Sequence, residues 1–213
     1  MNAEPPPGAS LTGLREAART CTACELFEGT TQTVFSVGSA TARLALVGEQ
    51  PGDVEDRRGI PFVGPAGQVL DRALGEVGIE RGQTYVTNAV KHFRFSQDAP
   101  GRRRIHQTPE LRHLTSCKPW LVAELALVDP EVVVLLGATA AKSLLGPDFR
   151  VTRSRGVLLP RAGRADEPAA VHAGWLLATI HPSAVLRADD PDVAYAGFVA
   201  DLRVAIGALS PAA

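Results

Sequence analysis

Short runs of consecutive apolar residues alternate along this chain with stretches that have helical periodicity. Four runs predict buried strands: Arg43–Gly48, Thr84–Val90, Glu131–Gly137 and Trp175–Ile180. Helices are predicted around and between them, over Leu11–Arg19, Gly64–Val77, Pro109–Val128, Ala138–Leu145 and Asp192–Leu209. Strands that are apolar throughout are covered on both faces. The pattern therefore predicts an α/β fold, an α/β/α sandwich with a largely parallel sheet.

Parallel sheets of this kind bind ligands beyond the carboxyl ends of their strands. This rule selects four loops as candidate sites: Gly48–Gly52, Asn88–Pro109, Gly137–Thr139 and His181–Ser183. Residues 160–174 are rich in proline, glycine and alanine, and we expect them to form a variable surface loop.

The length, composition and charge of the chain restrict the class of protein to which it can belong. The chain has 213 residues, 45% of them hydrophobic and 21% charged, with a formal net charge of −1. We expect a flexible proline-rich tail over residues 1–10 and a single domain over residues 11–213. No apolar run is long enough to span a bilayer, and the N-terminus lacks the features of a signal peptide, so we expect a cytoplasmic protein without a membrane partner. The near-neutral charge argues against a histone-like positive coat but allows a local basic patch.

The chain has three cysteines, and an odd number of this size does not suit a disulfide framework. Cys21 and Cys24 form a C-x-x-C pair, which by itself is equally typical of redox motifs, zinc sites and iron–sulfur clusters.

Polar and aromatic residues in the selected loops have two interpretations each. Glu49 either acts on a ligand or caps a turn. Phe62 either stacks on a flat base or anchors its loop in the core. The Asn88 amide can read the O4 and N3–H edge of uracil and reject cytosine, or it can cap its own turn. His181 either polarises a leaving base or is structural.

Four ordered segments carry a resemblance to a known family: GEQPG at 48–52, GIPFVGPAG at 59–67, TNAVK at 87–91 and HPS at 181–183. Together they resemble the uracil-DNA glycosylase superfamily, in particular its iron–sulfur branch. The resemblance implies a central four-stranded, mainly parallel sheet and flipping of the base into a pocket. It also implies that Phe62 stacks on uracil, that Asn88 bonds to its edge and that His181 stabilises the departing base near O2.

The same resemblance implies a [4Fe-4S] cluster with a structural role. Cys21, Cys24 and Cys117 match three of the branch's four cysteines, whereas His92 stands where the remaining cysteine is expected. Imidazole can ligate iron in such clusters. We expect His92 to be the fourth ligand; the alternative is a weakly held iron with His92 merely nearby.

Two departures from the branch point to its UdgX-type members, which cross-link themselves to uracil-containing DNA. Gln50 replaces the usual alanine, and an inserted segment at residues 100–109 contains three arginines and His106. By resemblance, His106 becomes joined to C1′ of the sugar, and Glu49 orients its imidazole. Gln50 is expected to hold the loop or the base, and Gly48 to let the ligand approach the backbone.

Arg102, Arg103 and Arg104 are expected to contact the DNA backbone or to anchor the loop, with Arg104 assigned to substrate binding. The expected partner is uracil-containing DNA, single-stranded in the first place with duplex as the alternative, bound by a monomer. Two rival hypotheses stay open. One is a conventional multiple-turnover hydrolytic glycosylase, and the other is a non-catalytic DNA-binding module that carries a cluster.

Overall fold

The four strands predicted from the apolar runs are all present in the computed structural model, which describes residues 1–99, 101–161 and 174–209. The strands are β1 (Val37–Gly38), β2 (Leu44–Gly48), β3 (Thr84–Asn88), β4 (Phe95–Ser96), β5 (Ile105–His106), β6 (Val132–Leu136), β7 (Leu158–Arg161) and β8 (Gly174–Thr179). The helices are α1 (Leu11–Ala18), α2 (Asp53–Arg58), α3 (Pro65–Glu76), α4 (Leu111–Val128), α5 (Ala138–Leu145), α6 (Val151–Ser154), α7 (Pro182–Val185) and α8 (Pro191–Gly207). Short 3₁₀ helices span Glu25–Phe27 and Arg81–Gln83.

The central sheet has the order β1-β3-β2-β6-β8-β7 in the described part of the chain. Its four inner strands are parallel and are the four that the sequence predicts, so the mainly parallel α/β/α sandwich is confirmed. The sheet is wider than predicted, because β1 and β7 add an antiparallel strand at each edge. Both edge strands are short and only partly buried, so they lack the long apolar run that identifies a central strand.

Each face of the sheet is covered by its own apolar layer. Alternate side chains of β2 point to opposite faces: Ala45 and Val47 pack with α1, α4 and α5, whereas Leu44 and Leu46 pack with α3 and α8. This two-sided burial explains why the inner strands are mostly apolar; the polar exceptions, such as Thr84, Thr87 and Asn88 of β3, are buried as well. None of the helices in the described ranges is long and apolar enough to cross a membrane.

A buried ion pair links the sheet to helix α4. The ammonium group of Lys91 contacts the Glu124 carboxylate, and both side chains are almost completely buried. Lys91 Nζ also donates to the Thr87 hydroxyl and to the Asn88 carbonyl oxygen, at 2.6 and 2.9 Å. Glu124 in turn accepts from the hydroxyl groups of Tyr85 and Thr87. The polar atoms of this pair therefore have the partners that burial of charge requires.

Two predictions concern segments at the margins of the fold. The flexible tail over residues 1–10 and the single domain over residues 11–213 stay predictions, although Ala3 is buried and its N–H donates to the Ser116 carbonyl of α4 at 2.8 Å. Most of the predicted surface loop over residues 160–174 lies outside the described residues.

Candidate functional site

A cavity of about 620 Å³ opens at the carboxyl ends of the parallel strands. This is the edge that the sheet rule selects, because the loops after β2, β3 and β8 meet there. The side chains that line the cavity include six of the predicted site residues: Glu49, Gln50, Phe62, Asn88, His106 and His181.

Asn88 ends β3 and presents an unsatisfied polar atom to this cavity. Its side chain is 1% exposed, and Oδ1 has no hydrogen-bond partner among the described residues. A buried acceptor without a partner is costly, so a ligand that donates to it would bind with little competition from the protein. Gly48 lies beside Asn88 in the sheet register. A Cβ atom at position 48 would come within 2.3 Å of Asn88 Oδ1 and 2.5 Å of the Phe62 ring, so glycine leaves room for both groups.

Phe62 provides an aromatic wall of the cavity from a strained backbone conformation. Its φ of +56° is unusual for a residue with a large side chain, and such strain persists only where the surroundings enforce it. The ring lies 5.8 Å from the His181 ring, centroid to centroid, with the two planes inclined by 30°. The phenyl ring is therefore held ready to stack on a flat ligand.

Glu55 holds the Phe62 loop in place, and the sequence reasoning missed it. Its carboxylate accepts from the backbone N–H groups of Val63 and Gly64 at 3.1 and 2.8 Å, and from that of Gly52 at 3.1 Å. The carboxylate thus ties the loop after β2 to the loop before α3. Its signal in the sequence was weak, because the residue three positions before it is Gly52 rather than the serine or threonine of a usual capping box.

His181 faces the cavity as a neutral imidazole. Burial, with a smaller effect of the nearby charges of Arg187 and His106, lowers the pKa of His181 to about 4. The backbone N–H of Ser183 donates to Nδ1 at 3.2 Å, so Nδ1 carries the lone pair and Nε2 carries the proton. A neutral ring in this tautomer can donate one hydrogen bond from Nε2 to a ligand atom that gains negative charge.

β5, in the inserted segment, pairs with β4, which precedes that segment, in a small hairpin that we call the His106 hairpin. Gln50 holds its base: the amide Nε2 donates to the carbonyl oxygens of Arg94 and Gln107, both at 3.1 Å, and Oε1 accepts from the Arg94 N–H at 2.9 Å. Every polar atom of the Gln50 amide is therefore bonded to the hairpin backbone.

Arg104 anchors the same hairpin from the other side. Its guanidinium contacts the carboxylates of Asp53 and Asp56, and it lies over the rings of Phe93 and Phe95 at 5.3 and 4.9 Å. The sequence left two roles open for Gln50 and Arg104, which were to hold the loop or to bind the substrate. The contacts observed for both are those of hairpin anchors, because burial and internal pairing occupy their donors. Arg102 and Arg103 are exposed, and their role in contacting phosphate groups stays a prediction.

His106 lies at the end of β5 with half of its side chain exposed. Its Nε2 is 3.4 Å from Glu49 Oε1, and its ring packs at 6.0 Å from Phe93. The other Glu49 oxygen accepts a hydrogen bond from the Thr139 hydroxyl, a residue to which the sequence assigned no chemistry. A carboxylate and an imidazole thus meet at the mouth of the cavity.

The three cysteines lie on segments that meet beside α4. Burial, with a smaller contribution from the nearby Cys21 and Cys24, raises the pKa of the Cys117 thiol to about 12. Two sulfur atoms accept hydrogen bonds at 3.3 Å, Cys117 from the Lys91 backbone N–H and Cys21 from the Trp120 indole N–H. Within the described ranges, no three His, Cys, Asp or Glu side chains are arranged to hold a single metal ion. This finding concerns a single ion, because a cluster of several irons separates its ligands more widely than one ion does.

His92 is a buried, neutral ring, and it directly follows Lys91, whose backbone N–H donates to the Cys117 sulfur. Burial lowers the pKa of His92 to about 4. The Thr33 hydroxyl donates its hydrogen to the Ala18 carbonyl at 2.8 Å and lies 3.0 Å from His92 Nε2. Because a hydroxyl has one hydrogen to give, Nε2 must be the donor in the second contact, and Nδ1 carries the lone pair. Nδ1 is therefore the nitrogen through which His92 would bind a metal.

The chemical groups that line the cavity are an aromatic wall, an amide with a free acceptor, a neutral imidazole donor and a carboxylate beside a second imidazole. Such a set can hold a flat hydrogen-bonding ring, stabilise negative charge on it as it leaves, and act on the carbon atom from which it departs.

Comparison with known proteins agrees with this description. A family model described as the uracil DNA glycosylase superfamily matches residues 35–203. A type-4 uracil-DNA glycosylase of Thermotoga maritima is 34% identical over 173 residues, which cover 81% of each chain. One from Pyrobaculum aerophilum is 33% identical over 179 residues, 83% of this chain and 85% of the relative. One from Archaeoglobus fulgidus is 33% identical over 183 residues, 83% of each.

The lowered pKa of His181 predicts a pH-dependent stability. Between the ordinary pKa of 6.5 and the folded value of about 4, the unfolded chain binds a proton that the folded ring excludes. The free energy of unfolding should therefore fall as pH is lowered through this range, by on the order of 1–2 kcal/mol between about pH 7 and pH 5. Urea denaturation of the wild type and of His181→Asn measures this effect. An equally steep fall in the variant would contradict the assignment.

Proposed function

This chain belongs to the uracil-DNA glycosylase superfamily, and from that premise we propose that it removes uracil from DNA by cleaving the N-glycosidic bond. The observation that carries the proposal is the free Oδ1 of Asn88 inside the cavity. Uracil presents a donor at N3–H next to an acceptor at O4. An amide oxygen accepts from the first while the amide nitrogen donates to the second. Cytosine presents the opposite pattern, so the same amide would reject it.

The other cavity residues suit the remaining demands of the reaction. The base must leave the helical stack to reach the cavity, and Phe62 offers a ring on which it can stack. Cleavage leaves negative charge on the uracil ring. The Nε2–H of neutral His181 can donate to uracil O2 and stabilise that charge as it develops. Glu49, at the cavity mouth, stabilises the electron-poor C1′ that the base leaves behind.

Replacing Asn88 tests its proposed role in recognising uracil. Asn88→Ala should lower the single-turnover rate of uracil release by about 100-fold or more, because the edge of the bound base loses both of its buried partners. Release of free uracil from an oligonucleotide is the measurement, with a thymine-containing oligonucleotide as the control substrate. An unchanged rate in the variant would remove Asn88 from the recognition of the base.

We further propose that His106 captures the sugar after uracil has left, as in the UdgX-type members that the sequence resembles. The support is positional. His106 is exposed at the cavity mouth, its Nε2 is 3.4 Å from Glu49, and the hairpin that carries it is anchored at both Gln50 and Arg104. An imidazole held at this point occupies the space from which water would otherwise attack C1′. A rigid hairpin raises its effective concentration there.

The proposed capture balances as a substitution at C1′. The C1′–N1 bond breaks and its electron pair leaves with uracil as an anion, which accepts a hydrogen bond from His181. The lone pair of the unprotonated imidazole nitrogen of His106 forms a new bond to C1′. The ring then carries a positive charge and loses its remaining N–H proton, while uracil gains one. The product is a neutral imidazole joined to the sugar, and the protein does not turn over.

Conventional multiple-turnover hydrolysis is the second candidate. The relatives named above are called type-4 uracil-DNA glycosylases, and the pocket residues suit either outcome. In hydrolysis, Glu49 directs a water molecule to C1′ and His106 remains unmodified. The two candidates therefore share the first step and differ only in which nucleophile reaches the sugar.

A denaturing gel separates these two candidates. Under capture, wild-type protein mixed with a uracil-containing oligonucleotide should give a shifted band that survives denaturation, because protein and DNA are covalently joined. His106→Ser should abolish the band and produce abasic DNA over many turnovers, since the space beside Glu49 then admits water.

The same oligonucleotide with thymine in place of uracil is the control, and it should give no shifted band. A wild-type protein that releases uracil without any shifted band is a hydrolytic glycosylase, and the capture proposal is then wrong. A His106→Ser variant that neither cross-links nor releases uracil would show that His106 acts in the first step as well.

We also propose a [4Fe-4S] cluster held by Cys21, Cys24, Cys117 and Nδ1 of His92. The support is the meeting of the three cysteines, the two N–H donors to their sulfur atoms and the Thr33 contact that leaves Nδ1 with its lone pair. Hydrogen bonds to sulfur are a usual feature of cluster environments. When bound, the cluster supplies a rigid cross-link between the N-terminal segment, the loop after β3 and helix α4. The residues that act on uracil do so without it.

Metal analysis tests the fourth ligand. His92→Ala should reduce iron from about four atoms per chain to three or fewer and weaken the visible absorption of the cluster, because one iron loses its protein ligand. His92→Cys is the matched control and should retain iron, since it restores the four-cysteine set. Unchanged iron and spectrum in His92→Ala would remove His92 from the ligands, and a wild type without iron would overturn the cluster itself.

A further inference from the structure

Thr139, in one of the four loops that the sheet rule selects, contacts the proposed catalytic carboxylate. It lies in the first turn of α5, is 7% exposed, and its hydroxyl donates to Glu49 Oε2. A hydrogen bond from a hydroxyl to a carboxylate is charge-assisted and is stronger than one between neutral groups. Thr139 is not among the residues that line the cavity. Through this hydrogen bond, Thr139 would act on the reaction by way of Glu49.

The sheet order explains why these two residues meet. Glu49 follows β2 and Thr139 follows β6, and these strands are neighbours in the sheet. The chain leaves β2 toward β3 on one side and later returns to β6 on the other side. Loops at such a reversal diverge and open a crevice between them. The Thr139–Glu49 bond spans this crevice and joins the two loops.

The bond divides the two oxygens of Glu49 between two tasks. Oε2 is taken by the Thr139 hydroxyl, whereas Oε1 faces His106 Nε2 at 3.4 Å. The terminal torsion of a glutamate side chain is soft and has broad energy wells. A donor fixed on one oxygen therefore decides where the other oxygen points. We infer that Thr139 is a positioning residue, which aims Glu49 Oε1 at the sugar carbon from which uracil departs.

This inference rests on the first step of the proposed function, the release of uracil, and holds for either fate of the sugar. Three variants test it. Thr139→Val keeps the shape and removes the hydroxyl, and Thr139→Ser keeps the hydroxyl. The matched control is Ser143→Ala in the same helix, which removes a buried hydroxyl that donates to the Ala140 carbonyl and does not touch Glu49.

The measurement is the single-turnover rate of uracil release against protein concentration, with protein in excess over a uracil-containing oligonucleotide. Thr139→Val should lower the maximal rate by about 10- to 100-fold, as expected for the loss of a hydrogen bond to a charged group. The half-saturating concentration should stay within about twofold, because the cavity lining is intact. Thr139→Ser should restore most of the rate, and Ser143→Ala should match the wild type.

Three outcomes would overturn the inference. In the first, Thr139→Val releases uracil as fast as the wild type. In the second, Thr139→Ser is as slow as Thr139→Val, and in the third, Ser143→Ala is impaired to the same degree, which would indicate a merely structural role for the helix. A wild type that releases no uracil would overturn the proposed function itself and this role together, so the two failures are distinguishable.

Discussion

The charge of Lys91, buried at the end of the second parallel strand, is the constraint around which the site is arranged. An ammonium group in the interior must be paired, and Glu124 on α4 pairs it while hydroxyl groups fill the remaining bonds. The same residue bonds to the Asn88 carbonyl through Nζ and to the Cys117 sulfur through its backbone N–H. The base-reading amide and the cysteine group are thereby tied to one rigid point. Removing either charge would leave its partner buried alone.

The sheet topology also fixes where the functional side chains lie. The strand order brings the loop with Glu49 beside the loop with Thr139, and the next strand brings His181 to the same edge. Glu55 and Gln50 then attach a loop each: one presents Phe62 and the other carries His106. Because both attachments use backbone N–H or carbonyl groups, they hold the loops without depending on the side chains that act. A conventional glycosylase and a self-capturing one can share this frame, since they differ only in what occupies the space beside Glu49.

Much of this molecule follows from the chain alone. Runs that are mostly apolar identified the four parallel strands, because a strand covered on both faces needs apolar side chains on both of them. The rule for carboxyl ends then selected the loops that contain Glu49, Asn88, His106 and His181. Those four residues do line one cavity. The edge strands escaped prediction because they are short and half-buried, and helix α2 escaped because its six residues show no apolar face.

The individual partners were decided by tertiary structure. Gln50 and Arg104 were predicted either to anchor the loop or to bind the substrate, and each finds partners on other segments of the chain, at separations of more than forty residues. Glu55 gave only a weak sequence signal, and Thr139 lay in a selected loop without any assigned chemistry. The contacts that matter for both residues join loops that approach only after the sheet forms. The local sequence pattern determined which strands form and at which edge of the sheet the functional residues lie, because the pattern of apolar residues indicates which positions are buried. Which side chain faces the substrate and which supports its neighbour depends on distances between segments remote in sequence, and only the packed fold sets those distances.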